Sequence, residues 1–232
     1  MMVALCSAFR DAEEHLGRYF WQALALRQAL DKRGDRLHLV IGDGDSVDRT
    51  SALLLRYATG PEYTIVDCSH GGPKFGSIVN DERFRQMAYV GNCMLDNVPT
   101  DADAVVILDG DLIWDADTIL ALVGRLAEVP ACAPLVLCAG NPAGYAGDGP
   151  FFYDIWAFRR NGQKFSPLPP YHPDLGAGLL QLESAGGCLA IRGDLAREVR
   201  FGDADAIVGL CRDIYRRDGS VWVDPGLAVR HK

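Results

Sequence analysis

The sequence predicts an α/β fold: a mainly parallel, twisted sheet flanked by helices, with a loop-rich second half. Two observations predict it. Apolar runs of strand length alternate with stretches of helical periodicity through the first 140 residues. Strands separated by helices of roughly 10 to 18 residues need crossover connections, which make neighbouring strands parallel. Acidic loops also recur at the carboxyl ends of these runs, the sheet edge at which such folds bind ligands.

The elements follow in order. Val3 to Cys6 reads as a buried strand, and Glu13 to Leu30 as a helix with Leu16, Phe20, Ala23, Leu24 and Leu30 at helical spacing. Leu37 to Ile41 is a second strand, followed by the loop Gly42 to Asp48 and a helix from Arg49 to Tyr57. Tyr63 to Val66 is a third strand; a loop with two adjacent glycines and a proline then leads to a helix over Asp81 to Leu95. Ala104 to Leu108 is a run of five apolar residues bounded by polar ones, the pattern of a strand covered on both faces. Asp115 to Leu126 continues as a helix. Residues 140 to 180 hold six of the twelve prolines, interrupted by the aromatic block Phe151 to Phe158. That aromatic content predicts a functional loop covering a site rather than a solvated linker. A strand over Gly187 to Arg192, a helix near Ala204 to Arg217 and a final strand over Val221 to Asp224 complete the reading.

The chain has 232 residues, enough for a sizeable core, and is expected to form one domain over 1–232, with halves at 1–139 and 140–232. With 49% hydrophobic and 23% charged residues the composition is that of an ordinary globular protein. The formal charge of −8 gives no global field toward nucleic acid or anionic lipid, leaving only local basic grooves. Seven cysteines are scattered, never as C-x-x-C, and most lie inside apolar runs such as Pro134 to Cys138. They read as reduced, structural thiols, and so predict a cytoplasmic protein. Met1 to Phe9 is only strand length and ends in Arg10-Asp11, so no secretory signal is expected. No apolar run approaches the ~20 residues of a membrane span.

The strongest chemical signal is Asp109-Gly110-Asp111, directly after the Ala104–Leu108 run. Two carboxylates one residue apart at a strand terminus are hard oxygen ligands suited to Mg²⁺ or Mn²⁺, which in turn hold a diphosphate. A solvated Asp-Gly turn is the plainer alternative. Arg10-Asp11 and Asp43 to Asp48 end the first two strands, and in a parallel sheet all three rims share one edge. Ser46 and Asp48 equally suit helix capping. The Gly71 to Gly76 loop can lay backbone amides and Lys74 near phosphates, or form a plain surface turn; it lacks the P-loop ending. Phe152, Tyr153, Trp156, Tyr171 and His172 are either a sugar or base platform or core packing.

On these residues the chain resembles the glycosyltransferases of the GT-A fold, a single Rossmann-like domain, and in pattern the family 2 enzymes. Asp43, Ser46, Asp48 and Thr50 match that family's D-D-G-S-T-D-G-T loop in register, while Gly44, Asp45, Val47 and Arg49 do not. Asp109-Gly110-Asp111 matches its D-x-D, Ser184 to Arg192 looks like its glycine-rich strand before an arginine, and His231 like its terminal histidine. The resemblance implies a metal-dependent hexosyltransferase moving a sugar from a UDP- or GDP-linked nucleoside diphosphate sugar to an acceptor hydroxyl, with Mn²⁺ or Mg²⁺ as cofactor. It places Asp109, Asp111 and His231 on the metal. Arg10, Asp43, Ser46, Lys74, Asp109, Gly186 and Gly187 fall on the donor, with 1–139 as the nucleotide-sugar half. Tyr153, Asp154 and Trp156 fall on the acceptor, within the 140–232 half.

An inverting member also needs a carboxylate base. The nearest acidic pair is Asp203 and Asp205, and counting back from Arg212 sets Asp205 on the family's Glu but Ala206 on its catalytic Asp. Tyr153-Asp154-Ile155-Trp156 also looks like some retaining GT-A mannosyltransferases, which need no such base, so the stereochemistry stays open. The acceptor is a glycan, a small molecule, a protein or a hydroxylated DNA base, for which Arg159, Arg160 and Lys164 offer a local groove. A nucleotidyltransferase of similar fold is one alternative; it calls for a glycine-rich basic loop after the first strand, which Val3 to Glu14 lacks. A non-catalytic sugar- or nucleotide-binding module is another.

Overall fold

A computed structural model describes residues 1–76, 78–138 and 150–231. Most of the proline- and glycine-rich start of the 140–180 stretch therefore lies outside the described residues. The first half runs β1 (Met2–Phe9), α1 (Glu13–Asp31), β2 (Arg36–Asp43), α2 (Thr50–Tyr57), β3 (Tyr63–Asp67), α3 (Asp81–Leu95), β4 (Ala104–Leu108), β5 (Leu112–Ile113), α4 (Ala116–Gly124) and β6 (Ala131–Cys138). The second half adds β7 (Arg159–Arg160), β8 (Gln163–Lys164), β9 (Leu180–Leu182), β10 (Cys188–Arg192), α5 (Gly193–Ala196), α6 (Ala206–Arg216) and β11 (Val221–His231).

Among the described residues nine strands form one mixed, mostly parallel sheet in the order β3-β2-β1-β4-β10-β6-β11-β5, with β9 also pairing β11. The β3-β2-β1-β4 portion is parallel throughout, as crossover helices require. All five residues of β4 are buried, the outcome expected for a continuous apolar run. The helices cover the sheet in two groups: α1 packs against α2 and α4, and α3 against α6. Leu16, Tyr19, Ala23, Leu26 and Leu30 form the buried stripe of α1. Asp115 caps α4 by accepting from the Thr118 amide at 2.7 Å, so this helix begins one residue later than expected.

Three features depart from the sequence reading. β10 runs antiparallel between β4 and β6, which breaks the parallel order in the middle of the sheet. β6, seen in the sequence only as an apolar run holding Cys138, is a full central strand. β11 does not stop at Asp224 but continues to His231, with its register against β6 shifting between Asp224 and Ala228. Such a bulge absorbs Pro225-Gly226, where a regular strand could not. The buried Asp224 carboxylate fixes it, accepting from Arg125 Nε at 2.7 Å and from the Gly226 amide at 2.9 Å. The bulge carries the chain on so that His231 pairs with Leu112 of β5 and Cys138 of β6.

All seven cysteines are free thiols, five of them buried. Among the described residues no helix is long and apolar enough to cross a membrane.

Candidate functional site

A cavity of about 950 Å³ opens where the β1 and β4 strands end. Its rim is stitched from three loops. The parallel register sets Phe9 beside Asp43, and beyond that point the two loops exchange hydrogen bonds. Ser46 Oγ donates to Asp43 Oδ1 at 2.8 Å and accepts from the Asp11 amide at 3.2 Å, while Asp11 Oδ1 accepts from the Val47 amide at 2.7 Å. Asp48 accepts from the amides of Glu13 (3.2 Å) and Thr50 (2.8 Å), and so braces the starts of α1 and α2 together. Asp45, at φ 56°, accepts from the amides of His70 (3.0 Å) and Gly71 (3.1 Å), joining the third loop. Gly44 is required there, since a Cβ would come within 2.6 Å of the Cys68 carbonyl oxygen. Arg10 donates to the carbonyl of Gly72 at 2.9 Å, and Lys74 Nζ meets Asp11 Oδ2 at 3.0 Å.

These bonds explain the electrostatics of the rim. The His70 amide holds the Asp45 carboxyl below its ordinary value. At Asp11 the Val47 amide, then Lys74, does the same. Burial opposes ionisation of Asp48, yet its bonds to Thr50 and Glu13 outweigh it and the net shift is downward. Asp48 therefore serves as a brace, the capping alternative, although Arg49 rather than Asp48 occupies the cap position of α2. Asp43 and Ser46 are not in the cavity wall; Arg10, Asp11, Gly44 and Lys74 are.

The floor is built by the end of β4. The Asp109 amide donates to the Gly187 carbonyl at 2.8 Å, and Gly187 sits at φ +67°, where a side chain is strained. Asp111 Oδ2 lies 2.9 Å from His231 Nε2, and the His231 ring stacks on Tyr153 with centroids 3.6 Å apart and planes at 8°. Trp156 stacks on Phe84 of α3 at 4.8 Å, with the Arg159 guanidinium 5.4 Å over its ring. Asp154 Oδ1 accepts from the Ala157 amide at 3.2 Å, and Asp154 Oδ2 lies against Gly186, whose Cβ, if present, would be 2.4 Å away. Asp109, Asp111, Tyr153, Asp154, Trp156 and Gly187 all line the cavity.

Here burial works the other way. The Asp109 carboxyl is open to the cavity but has protein on its other sides; that loss of bulk water, then the charges of Asp111 and Asp154, push it up to about 8. Burial pushes Asp154 up to about 6 against the pull of the Ala157 amide. Burial also opposes ionisation of Asp111, but the hydrogen bond and charge of His231 bring its carboxyl below the ordinary value. Among the described residues no three His, Cys, Asp or Glu side chains are gathered closely enough to hold an ion by themselves. What fits a divalent cation is the mutual repulsion of Asp109, Asp111 and Asp154 in one wall. A divalent ion, if held by Asp109 and Asp111, would relieve that repulsion.

The structure leaves some expected residues elsewhere. Asp203 is exposed, and Asp205 is ion-paired to Arg212; neither lines the cavity. The start of α6 contributes Ile207 to the wall instead. Phe152, Tyr171 and His172 are buried in packing: Phe152 lies 5.4 Å from Tyr171, and Tyr171 donates its hydroxyl to the Pro150 carbonyl at 2.7 Å. Only Tyr153 and Trp156 of the aromatic set reach the cavity. Arg159 and Arg160 line a second, smaller cavity of about 550 Å³ with Arg212 and Tyr215, and Arg160 is paired to Asp174. Arg83, unnoticed in the sequence, lines the main cavity, and its charge pulls the Asp109 carboxyl down against the larger upward push. Its signal was the helical stripe Arg83, Phe84, Met87 and Gly91 that α3 turns to the cavity.

No protein-family model matches the sequence, and no curated protein matches it. Solved structures do match. TarS of S. aureus, residues 1-349, superposes with a TM-score of 0.59 at 12% identity, over 100% of this chain and 60% of that one. TarS is also solved with UDP and with UDP-GlcNAc. The mannosyltransferase PcManGT from Pyrobaculum calidifontis, in complex with GDP-Man and Mn²⁺, gives 0.58 at 18% identity, over 99% and 56%. A mycobacterial protein gives 0.57 at 16% identity, over 100% and 67%. The chain thus spans about 60% of the length of the first solved proteins it matches. The four-strand parallel block, the acidic triplet at the end of β4 and these superpositions agree: the chain has the GT-A glycosyltransferase fold.

Proposed function

We propose that this chain is a divalent-metal-dependent glycosyltransferase that moves a sugar from a nucleoside diphosphate sugar to an acceptor hydroxyl. The observation that carries the reading is the contact, at 2.9 Å, of His231 with Asp111, which lines the cavity beside Asp109; the same cavity presents Arg10, Lys74 and Arg83. Carboxylates and an imidazole suit a hard divalent ion, and three nearby cations suit a diphosphate. The UDP-GlcNAc held by TarS and the GDP-Man and Mn²⁺ held by PcManGT support a donor and a cofactor of the same kind.

In this reading Asp109 and Asp111, with His231, hold Mn²⁺ or Mg²⁺. When bound, the ion supplies positive charge against the negative charge of the departing diphosphate. Arg10, Lys74 and Arg83 add fixed positive charge around the same phosphates. Asp43, with Ser46 on its carboxylate, serves the nucleoside end. Gly186 and Gly187 leave the donor sugar room, and the faces of Tyr153 and Trp156 carry sugar rings. The 1–139 portion is the donor half and 140–232 the acceptor half. The seven free thiols support a reducing, cytoplasmic setting. The acceptor is a glycan, a small molecule, a protein or a hydroxylated DNA base.

Calorimetric titration with UDP and with GDP, with and without Mn²⁺, tests the reading. The expected result is cation-dependent binding of at least one nucleotide, abolished in Asp111→Ala. Binding of neither under any cation overturns it.

A further inference from the structure

We propose that Asp154 is the catalytic base of the transfer, taking the proton from the acceptor hydroxyl; the assignment rests on the glycosyltransferase reading above. Among the described residues five carboxylates line the cavity: Asp11, Glu14, Asp109, Asp111 and Asp154. Asp11 is engaged by Lys74 and the Val47 amide, and Glu14 stands on the first turn of α1 beside His15. Asp109 and Asp111 belong to the cation. Among the described residues Asp154 is the one carboxylate in the wall that comes from the acceptor half of the chain.

Its setting is that of a held and aimed group. Oδ1 is fixed by the Ala157 amide, which leaves Oδ2 facing the two glycines that precede β10. A Cβ on Gly186 would come within 2.4 Å of that oxygen and 3.3 Å of Ile207, so Asp154 and the first turn of α6 flank the same small space. That turn offers no acid of its own, because Asp205 is bound to Arg212 and Ala206 and Ile207 follow. Around Asp154 stand Asp109, whose carboxyl feels its charge, the buried Cys211 thiol of α6, and His231 on the far side of Tyr153. Burial raises the carboxyl to about 6, where a base is both deprotonated at neutral pH and strong enough to draw a proton.

The step balances simply. The acceptor oxygen forms its bond to the anomeric carbon as its proton passes to Asp154 Oδ2. The bond from the anomeric carbon to the diphosphate oxygen breaks, and the diphosphate leaves with the electron pair. Attack from the face opposite the leaving group inverts the anomeric configuration.

The test uses the full chain with water as acceptor, because donor hydrolysis needs the same base. Wild type, Asp154→Asn and Asp154→Ala are assayed on a panel of UDP- and GDP-linked sugars with Mn²⁺, beside the UDP and GDP titrations. The expected result is nucleotide affinity within about twofold of wild type in Asp154→Asn and hydrolysis down by about 10²–10⁴-fold. The wild-type rate falls as pH drops through about 6, and this limb is absent from the residual rate of the variant. Formate restores part of the rate in Asp154→Ala, and the released sugar is inverted by NMR. Retained configuration, a rate in Asp154→Asn within tenfold of wild type, or nucleotide binding with no hydrolysis of any donor overturns the assignment. Loss of all nucleotide binding in wild type instead refutes the underlying reading. Asp154→Asn keeps the acceptor for the Ala157 amide, so the test stands even where Asp154→Ala fails to fold.

Discussion

Replacing Asp154 by Asn should make the protein more stable. In the folded chain the carboxyl titrates at about 6, against an ordinary value of 3.8. A gap of that size corresponds to about 3 kcal/mol, at about 1.4 kcal/mol for each tenfold change in proton affinity. The sign follows from where the proton sits. Below pH 4 both folded and unfolded chains hold it, and the carboxyl costs nothing. As pH rises through the unfolded value the unfolded chain ionises first, so stability falls until the folded carboxyl also ionises near 6, and the full cost persists above that. Asn has no charge to bury and still accepts from the Ala157 amide, but its second amide group also needs a partner, so the net gain at pH 7 is about 2 kcal/mol. For a chain of this length that raises Tm by about 4–8 °C. Thermal melts of both proteins at pH 4.5, 6 and 7.5 read it directly, with the gap between them widening as pH rises. A gap of constant size, or a variant less stable at pH 7.5, refutes the burial argument.

Three further outcomes follow from the same geometry. Asp48→Ala leaves the Glu13 and Thr50 amides without their shared acceptor; it should lower stability by about 1–2 kcal/mol in urea denaturation. Arg125→Ala leaves the buried Asp224 carboxylate with only the Gly226 amide at the β11 bulge. Because Arg125 itself is partly exposed, a loss of stability below that of a fully buried pair is expected, read as a lower urea midpoint. His231→Ala removes the contact that keeps Asp111 ionised at low pH, so Mn²⁺-dependent nucleotide binding should weaken and fail at a higher pH than in wild type, as followed by titration between pH 4.5 and 7.5.

Much of this was readable in the sequence where local chemistry decides. The β4 run, the α3 periodicity and the acidic triplet need no distant partner to be recognised, and each stands where the pattern put it. What stayed hidden depends on contacts between distant segments. Pro225-Gly226 reads as the end of a strand, yet β11 passes through it because Asp224 pairs with Pro134 of β6, where a missing amide and a bulge coincide. The antiparallel insertion of β10 has no local signature at all. In the aromatic block, neighbours part company: Phe152 turns into the core against Phe158 and Tyr171, while Tyr153 turns out to His231. Composition alone makes both a platform.

The carboxylates show most clearly why a motif is not yet a site. Asp11, Asp45 and Asp48 sit in the very loops that mark the ligand edge of the sheet, but each points its oxygens at backbone amides or at Lys74. Those bonds lower their proton affinity and engage their oxygens, so they hold the three loops in register. Burial outweighs the single Ala157 amide at Asp154, and loss of bulk water with the charges of Asp111 and Asp154 raises Asp109. A carboxyl kept in that state costs the fold stability, and raised carboxyls of this kind cluster at sites that bind or react. The braces make this possible: a rim closed by Asp11, Asp45 and Asp48 keeps the cavity open while like charges repel within it. Sequence spacing places Asp11, Asp45, Asp48 and Asp109 at one edge of the sheet, and only the partners of each carboxylate, Asp154 from the aromatic loop included, separate those that brace the rim from those left facing the cavity.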